Sequence, residues 1–240
     1  MNRHFFVILD CLFSIITFVS CEKENIVPSD IEFAADKKYF PLETGHTLIY
    51  KVTEINIDKP SDYYDTSIYY IRERVDIPFV DNEGDTAFRI ERFKSPTQNY
   101  YWQMNDVWEA KLTTYTAEKV EENQRIIKIK FPLEINKTWY GNLKNETYSP
   151  NNVDTCRIAS LTETYTKHNI NMDSCLLITC HNVENLISKL YDCEMYAKNI
   201  GLVYKEITDI NSQEVIYGVP IENRIHRGKI FIQELVEIEQ

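Results

Sequence analysis

From residue 47 onward the chain repeats one pattern: apolar and polar residues alternate singly, run after run. Leu48, Tyr50 and Val52 share one face, with Thr47, Lys51 and Thr53 on the other. Tyr69, Ile71, Val75 and Ile77 alternate with Tyr70, Arg72, Arg74 and Asp76, and Phe88 and Ile90 with Arg89 and Glu91. Ile127, Ile129 and Phe131 alternate with Lys128 and Lys130, and Ile230, Ile232, Val236 and Ile238 share a face near the C-terminus. A period of two is strand geometry, and one apolar face per strand marks an antiparallel sheet. Turn residues separate the runs, as in Asp58-Lys59-Pro60-Ser61, Asn82-Glu83-Gly84-Asp85 and Tyr148-Ser149-Pro150-Asn151-Asn152. The pattern predicts an all-β, antiparallel chain of about ten to twelve strands. A curved sheet or open barrel is expected, with a β-sandwich as the alternative, because large sheets curl or split.

Some stretches need a separate reading. Tyr100, Trp102 and Met104, then Trp108, Ala110 and Leu112, read as two strands around a tight turn at Asn105-Asp106. Val183, Leu186, Ile187 and Leu190 have helical spacing with Asn182 as a cap, which predicts a helical turn over 183–188. The acidic run from Glu118 to Glu122 reads as a charged loop rather than a calcium site. No other segment carries a helical period.

The N-terminus is an address. Arg3 and His4 precede a largely apolar run from Phe5 to Val19, shorter than the roughly twenty residues a membrane-spanning helix needs. It fits the apolar region of a secretory signal. The run ends Phe18-Val19-Ser20-Cys21 and turns polar at Glu22-Lys23-Glu24. This resembles a bacterial lipoprotein signal, in which a small residue precedes a cysteine that becomes the acylated first residue. Residues 1–20 are then the signal peptide, Cys21 carries the lipid, residues 21–38 form a tether, and residues 39–240 form a single β-rich domain. Each buried CH₂ of a palmitate-type chain contributes about 0.8 kcal/mol, so several chains on one cysteine hold a protein at a bilayer.

Composition narrows the partners. Asp plus Glu outnumber Lys plus Arg by 37 to 26, a net charge of −11, which argues against nucleic acid. Six glycines leave little material for phosphate-cradling loops, and the histidines (His4, His46, His168, His181 and His226) lie at no metal-ligand spacing. No cofactor, metal or catalytic residue is therefore assigned. Four cysteines lie within the β domain, Cys156, Cys175, Cys180 and Cys193, and allow three connectivities. A hairpin turning near Asn185 would set Cys175 opposite Cys193, the candidate disulfide. Structural disulfides or buried free thiols are expected in preference to metal.

The aromatic pairs Tyr63-Tyr64, Tyr69-Tyr70 and Tyr100-Tyr101-Trp102 put rings on both faces of strands. One member of each should enter the core. Its outward neighbour either stabilises the sheet or joins a platform for glycan or peptide.

A set of local signatures recurs in order: Tyr39-Phe40-Pro41-Leu42 with Gly45, Leu48 and Tyr50; Arg89-Ile90-Glu91-Arg92-Phe93; Phe131-Pro132-Leu133 with Trp139, Gly141 and Asn142; and Tyr196-Ala197-Lys198-Asn199-Ile200-Gly201-Leu202-Val203-Tyr204-Lys205-Glu206. Their order and spacing resemble a family of lipid-anchored envelope proteins of Bacteroidetes whose function is uncharacterised. The resemblance implies a secreted, β-rich lipoprotein of the outer membrane and no activity. The expectation is a non-enzymatic domain that binds a ligand or an envelope partner. The alternatives are a carboxylate-dependent hydrolase and a lipid-handling carrier. Two converging carboxylates would mark the hydrolase, and a wide interior the carrier.

Overall fold

A computed structural model describes residues 30–98, 101–145 and 155–239. A helix, α1 (Asp30–Lys37), precedes twelve strands among the described residues: β1 (Thr47–Asp58), β2 (Tyr63–Val80), β3 (Thr86–Ser95), β4 (Gln103–Leu112), β5 (Thr116–Glu121), β6 (Gln124–Lys130), β7 (Thr138–Tyr140), β8 (Thr155–Lys167), β9 (Ile170–Glu184), β10 (Ser188–Ala197), β11 (Gly201–Asn211) and β12 (Arg227–Glu239). They form one antiparallel sheet in the order β6-β5-β4-β3-β2-β1-β12-β11-β10-β9-β8-β7. Chain neighbours pair antiparallel except β6 and β7, which form the two edges, and the first strand lies against the last. The sheet curls into a nearly closed barrel. Its two outer strands meet where the Ile127 N–H donates to the Gly141 carbonyl at 2.8 Å and the Trp139 indole N–H to the Ile127 carbonyl at 2.8 Å. The expected all-β curved sheet is thus the observed architecture, as a single sheet and not a sandwich.

The largest apolar cluster joins both halves of the barrel. Val75, Ile90, Ala110 and Ile129 from one side pack with Ile158, Leu176, Ile178 and Tyr196 from the other. A second cluster ties the β8–β9 hairpin to β1, β11 and β12, and the buried Tyr165 hydroxyl there donates to the Leu235 carbonyl at 2.7 Å.

Several local expectations change. The tether was read without periodicity, yet its second part is α1. The helix buries Phe33 in the main core, and Asp36 accepts the Leu133 N–H at 2.9 Å. Tertiary contacts stabilise this short helix where local propensity does not. Asn105-Asp106 is not a turn but part of β4. Arg92 pairs with Asp106 and Phe93 with Met104, so Asn105 is the extra residue of a bulge. Residues 183–188 hold no helix. The Asn185 side chain accepts the N–H groups of Ile187 and Ser188, each at 2.9 Å, and closes a hairpin. Glu118 to Glu121 are strand residues of β5, not a loop.

Gly201 has φ +96°, a left-handed conformation that favours glycine, and its Cα side faces the Pro41 ring at ordinary packing distance. The signal peptide, Cys21 and the turn at 148–152 lie outside the described residues, as does Tyr100. Among the described residues, no helix is long and apolar enough to cross a membrane.

Candidate functional site

The barrel encloses a cavity of about 720 Å³. Its walls change character along the barrel. Towards the α1 end they are apolar: Phe40, Leu42, Leu48, Val75, Ile90 and Ala110. Towards the other end, where β2 and β12 begin, stand Glu54, Tyr69, Lys94, Lys229 and Phe231. Between the two lies a belt of seven charged side chains: Glu73 on β2, Arg92 on β3, Lys119 and Glu121 on β5, Lys128 on β6, Glu194 on β10 and Lys205 on β11.

The belt is a chain of shared ion pairs. Arg92 and Lys119 reach Glu73 at 2.8 and 2.9 Å. Lys128 reaches Glu121 at 3.1 Å and Glu194 at 2.9 Å, crossing the interior from β6 to β10. Lys205 lies 3.1 Å from Glu194 and 4.0 Å from Glu121, and Lys119 lies 3.9 Å from Glu121. Arg92 also touches Asp106, a further cavity-lining carboxylate, at 3.5 Å. Trp108 is covered by the Arg92 guanidinium at 3.6 Å and the Lys119 ammonium at 4.7 Å from its centroid.

These pairs fix the protonation states. Burial pushes the Glu121 carboxyl up, but the charges of Lys128, Lys205 and Lys119 overcome this and bring it down to about 2. Glu194, buried likewise, is held below the usual carboxylate range by Lys128, Lys205 and the Tyr196 hydroxyl. Glu73 is lowered against its own burial by Lys119 and Arg92. Burial alone would lower Lys128, but Glu121 and Glu194 hold it above its ordinary value. Among the described residues, the carboxyl that burial and Glu194 push upward is Asp192, which does not line the cavity.

Sequence reading missed this belt, although some signals were present. Glu73 falls on the face of Tyr69, Ile71 and Val75, and Arg92 on the face of Phe88 and Ile90, each breaking an apolar stripe. Lys128 gave no such signal. Ala117 pairs with Ile129 and Glu118 with Ile127, so Lys128 is the extra residue of a bulge and turns inward.

A second charged cluster sits on the β2–β3 turn. Asp81, Glu83 and Asp85 converge as a carboxylate triad of the kind that holds a metal ion. Lys111 from β4, fully buried, fills it with contacts of 2.7, 2.5 and 2.8 Å. The hydrogen bond from Lys111 outweighs burial and brings the Asp81 carboxyl down to about 2.

The cysteine expectation is corrected. Cys156 is bonded to Cys180, while Cys175 and Cys193 are both buried free thiols. The hairpin does turn near Asn185, but Cys193 pairs with Thr179 and Tyr196 with Leu176. Cys175 therefore falls about 13 Å along the strand from Cys193, too far for a bond. Arg157 pairs with Thr179, which sets Cys156 beside Cys180 on neighbouring strands.

The aromatic expectation changes too. Tyr63 and Tyr64 are both exposed, so neither member of that pair enters the core. The faces of several other rings are already used. Arg72 lies over Phe93 and Trp102, at 4.6 and 5.2 Å, and Lys94 over Tyr69 at 3.8 Å.

The fold is similar to two solved structures. One is a protein of Bacteroides fragilis provisionally described as exported, with a YmcC-like fold. It has 11% identity and a TM-score of 0.46 over 84% of this chain and 98% of that one. The other is a provisionally described lipoprotein of Parabacteroides distasonis, with 13% identity and a TM-score of 0.36 over 84% and 98%. No family model and no curated protein matches the chain.

Proposed function

We propose that this chain is a lipid-anchored protein of the bacterial envelope whose barrel takes up an amphiphilic small molecule. The apolar part of the ligand lies towards α1 and its polar head meets the charged belt. One observation carries the reading: an interior of about 720 Å³, within the range of small-ligand sites, that is apolar at one end and ringed by paired charges in the middle. A merely structural interior would be filled, because apolar packing stabilises a barrel more than buried ion pairs do. The hydrolase alternative fits less well. A carboxylate pair for acid–base work needs one protonated member, and Glu73, Glu121 and Glu194 are all held ionised.

The test is energy transfer from the chain's tryptophans, of which Trp108 lines the cavity, to a dansyl-labelled dodecyl amphiphile, on the full chain carrying Cys21→Ser so that no acyl group competes. Saturable binding is expected, and Ile207→Trp, which narrows the cavity, abolishes it while circular dichroism stays unchanged. A folded chain that gives no saturable signal overturns the binding reading. The anchor is tested separately. Cys21→Ala releases the protein from membranes, and a variant that stays bound overturns the lipid assignment.

A further inference from the structure

The belt also bears on which head group the cavity selects. We propose that it selects a zwitterionic head, one cationic and one anionic group close together on the same amphiphile. This rests on the reading that the cavity takes an amphiphile at all.

Four cations and three carboxylates alternate around one level of the interior, and each carboxylate is shared by at least two cations. Glu73 faces Arg92 and Lys119, Glu121 faces Lys119, Lys128 and Lys205, and Glu194 faces Lys128 and Lys205. Their side chains are only 7 to 18% exposed, so water screens them poorly. A lone anion entering here meets three ionised carboxylates. A lone cation meets four like charges. A head with both signs can open one belt contact and re-form both halves of it, so no charge is left without a partner.

The geometry also indicates which contact opens. Glu121 is the last residue of β5, and its contacts of 3.1, 3.9 and 4.0 Å make it the most loosely held carboxylate of the belt. Lys205 is the partner at 4.0 Å. The cationic group of the head is therefore assigned to Glu121 and the anionic group to Lys205. Two of the cavity's rings are already covered, Trp108 by Arg92 and Lys119 and Tyr69 by Lys94, which reduces the ring face open to a sugar head.

Four amphiphiles with the same dodecyl tail decide the matter: dodecylphosphocholine, dodecanoate, dodecyltrimethylammonium and dodecyl maltoside. Each competes with the dansyl probe on the full Cys21→Ser chain, below its micelle concentration. Dodecylphosphocholine is expected to displace the probe at roughly tenfold lower concentration than the other three. Glu121→Gln moves the preference to dodecanoate, and Lys205→Met moves it to dodecyltrimethylammonium. Any other ranking on the unmodified belt, or equal potency of all four, overturns the head-group assignment while leaving the amphiphile reading in place. Failure of the probe itself to bind overturns both. Should either variant melt early, the ranking on the unmodified belt alone decides.

Discussion

Two of the protein's buried charge clusters are built differently. In the cluster around Lys111, three carboxylates come from one turn, Asp81 to Asp85, and close on its ammonium, with Arg125 and Lys144 farther off at 3.7 Å each. In the belt, seven side chains come from six strands in both halves of the chain and surround an open volume. The first arrangement needs no ligand to explain it, because the lysine pins the β2–β3 turn to β4. In the second, buried pairs persist where apolar residues would close the interior at lower desolvation cost. Complete ion pairing is therefore weak evidence of function by itself. Ion pairing around an open volume is stronger evidence.

The sharpest way to break this contrast is Lys128→Met. It removes the cation that lies nearest to both Glu121 and Glu194 and crosses from β6 to β10, and is expected to cost about 3–5 kcal/mol in urea unfolding followed by circular dichroism. Adding Glu194→Gln should recover part of the loss, because the carboxylate left without its closest cation disappears. A loss below about 1 kcal/mol would show that water reaches the belt freely and would erase the distinction.

Lys111→Met is expected to cost less, about 2–3 kcal/mol, because two of its partners can turn to solvent. The Glu83 and Asp85 side chains are 48 and 50% exposed, and Asp81, at 2%, keeps the Glu83 and Asp85 N–H groups and Arg125 at 3.7 Å when its nearest cation goes. Asp81→Asn in the same chain should restore most of it. An equal loss at the two lysines would mean that the turn is buried as deeply as the belt.

Acid sharpens the comparison further. Glu121 and Asp81 titrate near 2 when folded, below their ordinary values of 4.5 and 3.8. A folded value below the unfolded one adds stability that is complete above the ordinary range and is lost as pH falls towards 2. Melting temperature should therefore drop between pH 4.5 and 2. Lys128→Met should flatten the belt's share of that slope, and Lys111→Met only the share of the turn. Lys128 and Lys111 are both held above 10.5, so their contribution is intact at neutral pH and fades only in strong alkali.

The smallest effect is that of salt. Molar sodium chloride should weaken the half-exposed contacts of Lys111 by a few tenths of a kcal/mol and leave the belt nearly unchanged. Wild type and Lys111→Met measured in low and high salt would show it, and a larger salt effect in the latter than in wild type would reverse the assignment.

Much of the fold is legible in the residue order. Alternation along β1, β2, β3 and β12 reports strand, antiparallel pairing and one apolar face, because each is a local property of successive side chains. Bulges are less legible. Asn105 looked like a turn and is an extra residue in β4, and Lys128 looked solvent-facing and points inward for the same reason. Helix α1 shows little apolar period of its own and is held by Phe33 and Asp36 against distant strands. Of the candidate site, Glu73 and Arg92 could have been found as charges breaking an apolar stripe. Glu194 and Lys205 could not, since nothing nearby in the chain shows that their strands face β5 across the interior.

The sequence alone determined the strand content, the antiparallel hairpin order and the acidic surface, and it carries the lipoprotein-like start, because composition and a period of two act over a few residues. Only the tertiary structure decided that the sheet closes on itself, that Cys156 and not Cys193 is disulfide-bonded, and that seven charges meet inside. Those outcomes depend on register, where a slip of one residue exchanges the two faces of a strand, and on closure, which brings together residues more than a hundred positions apart.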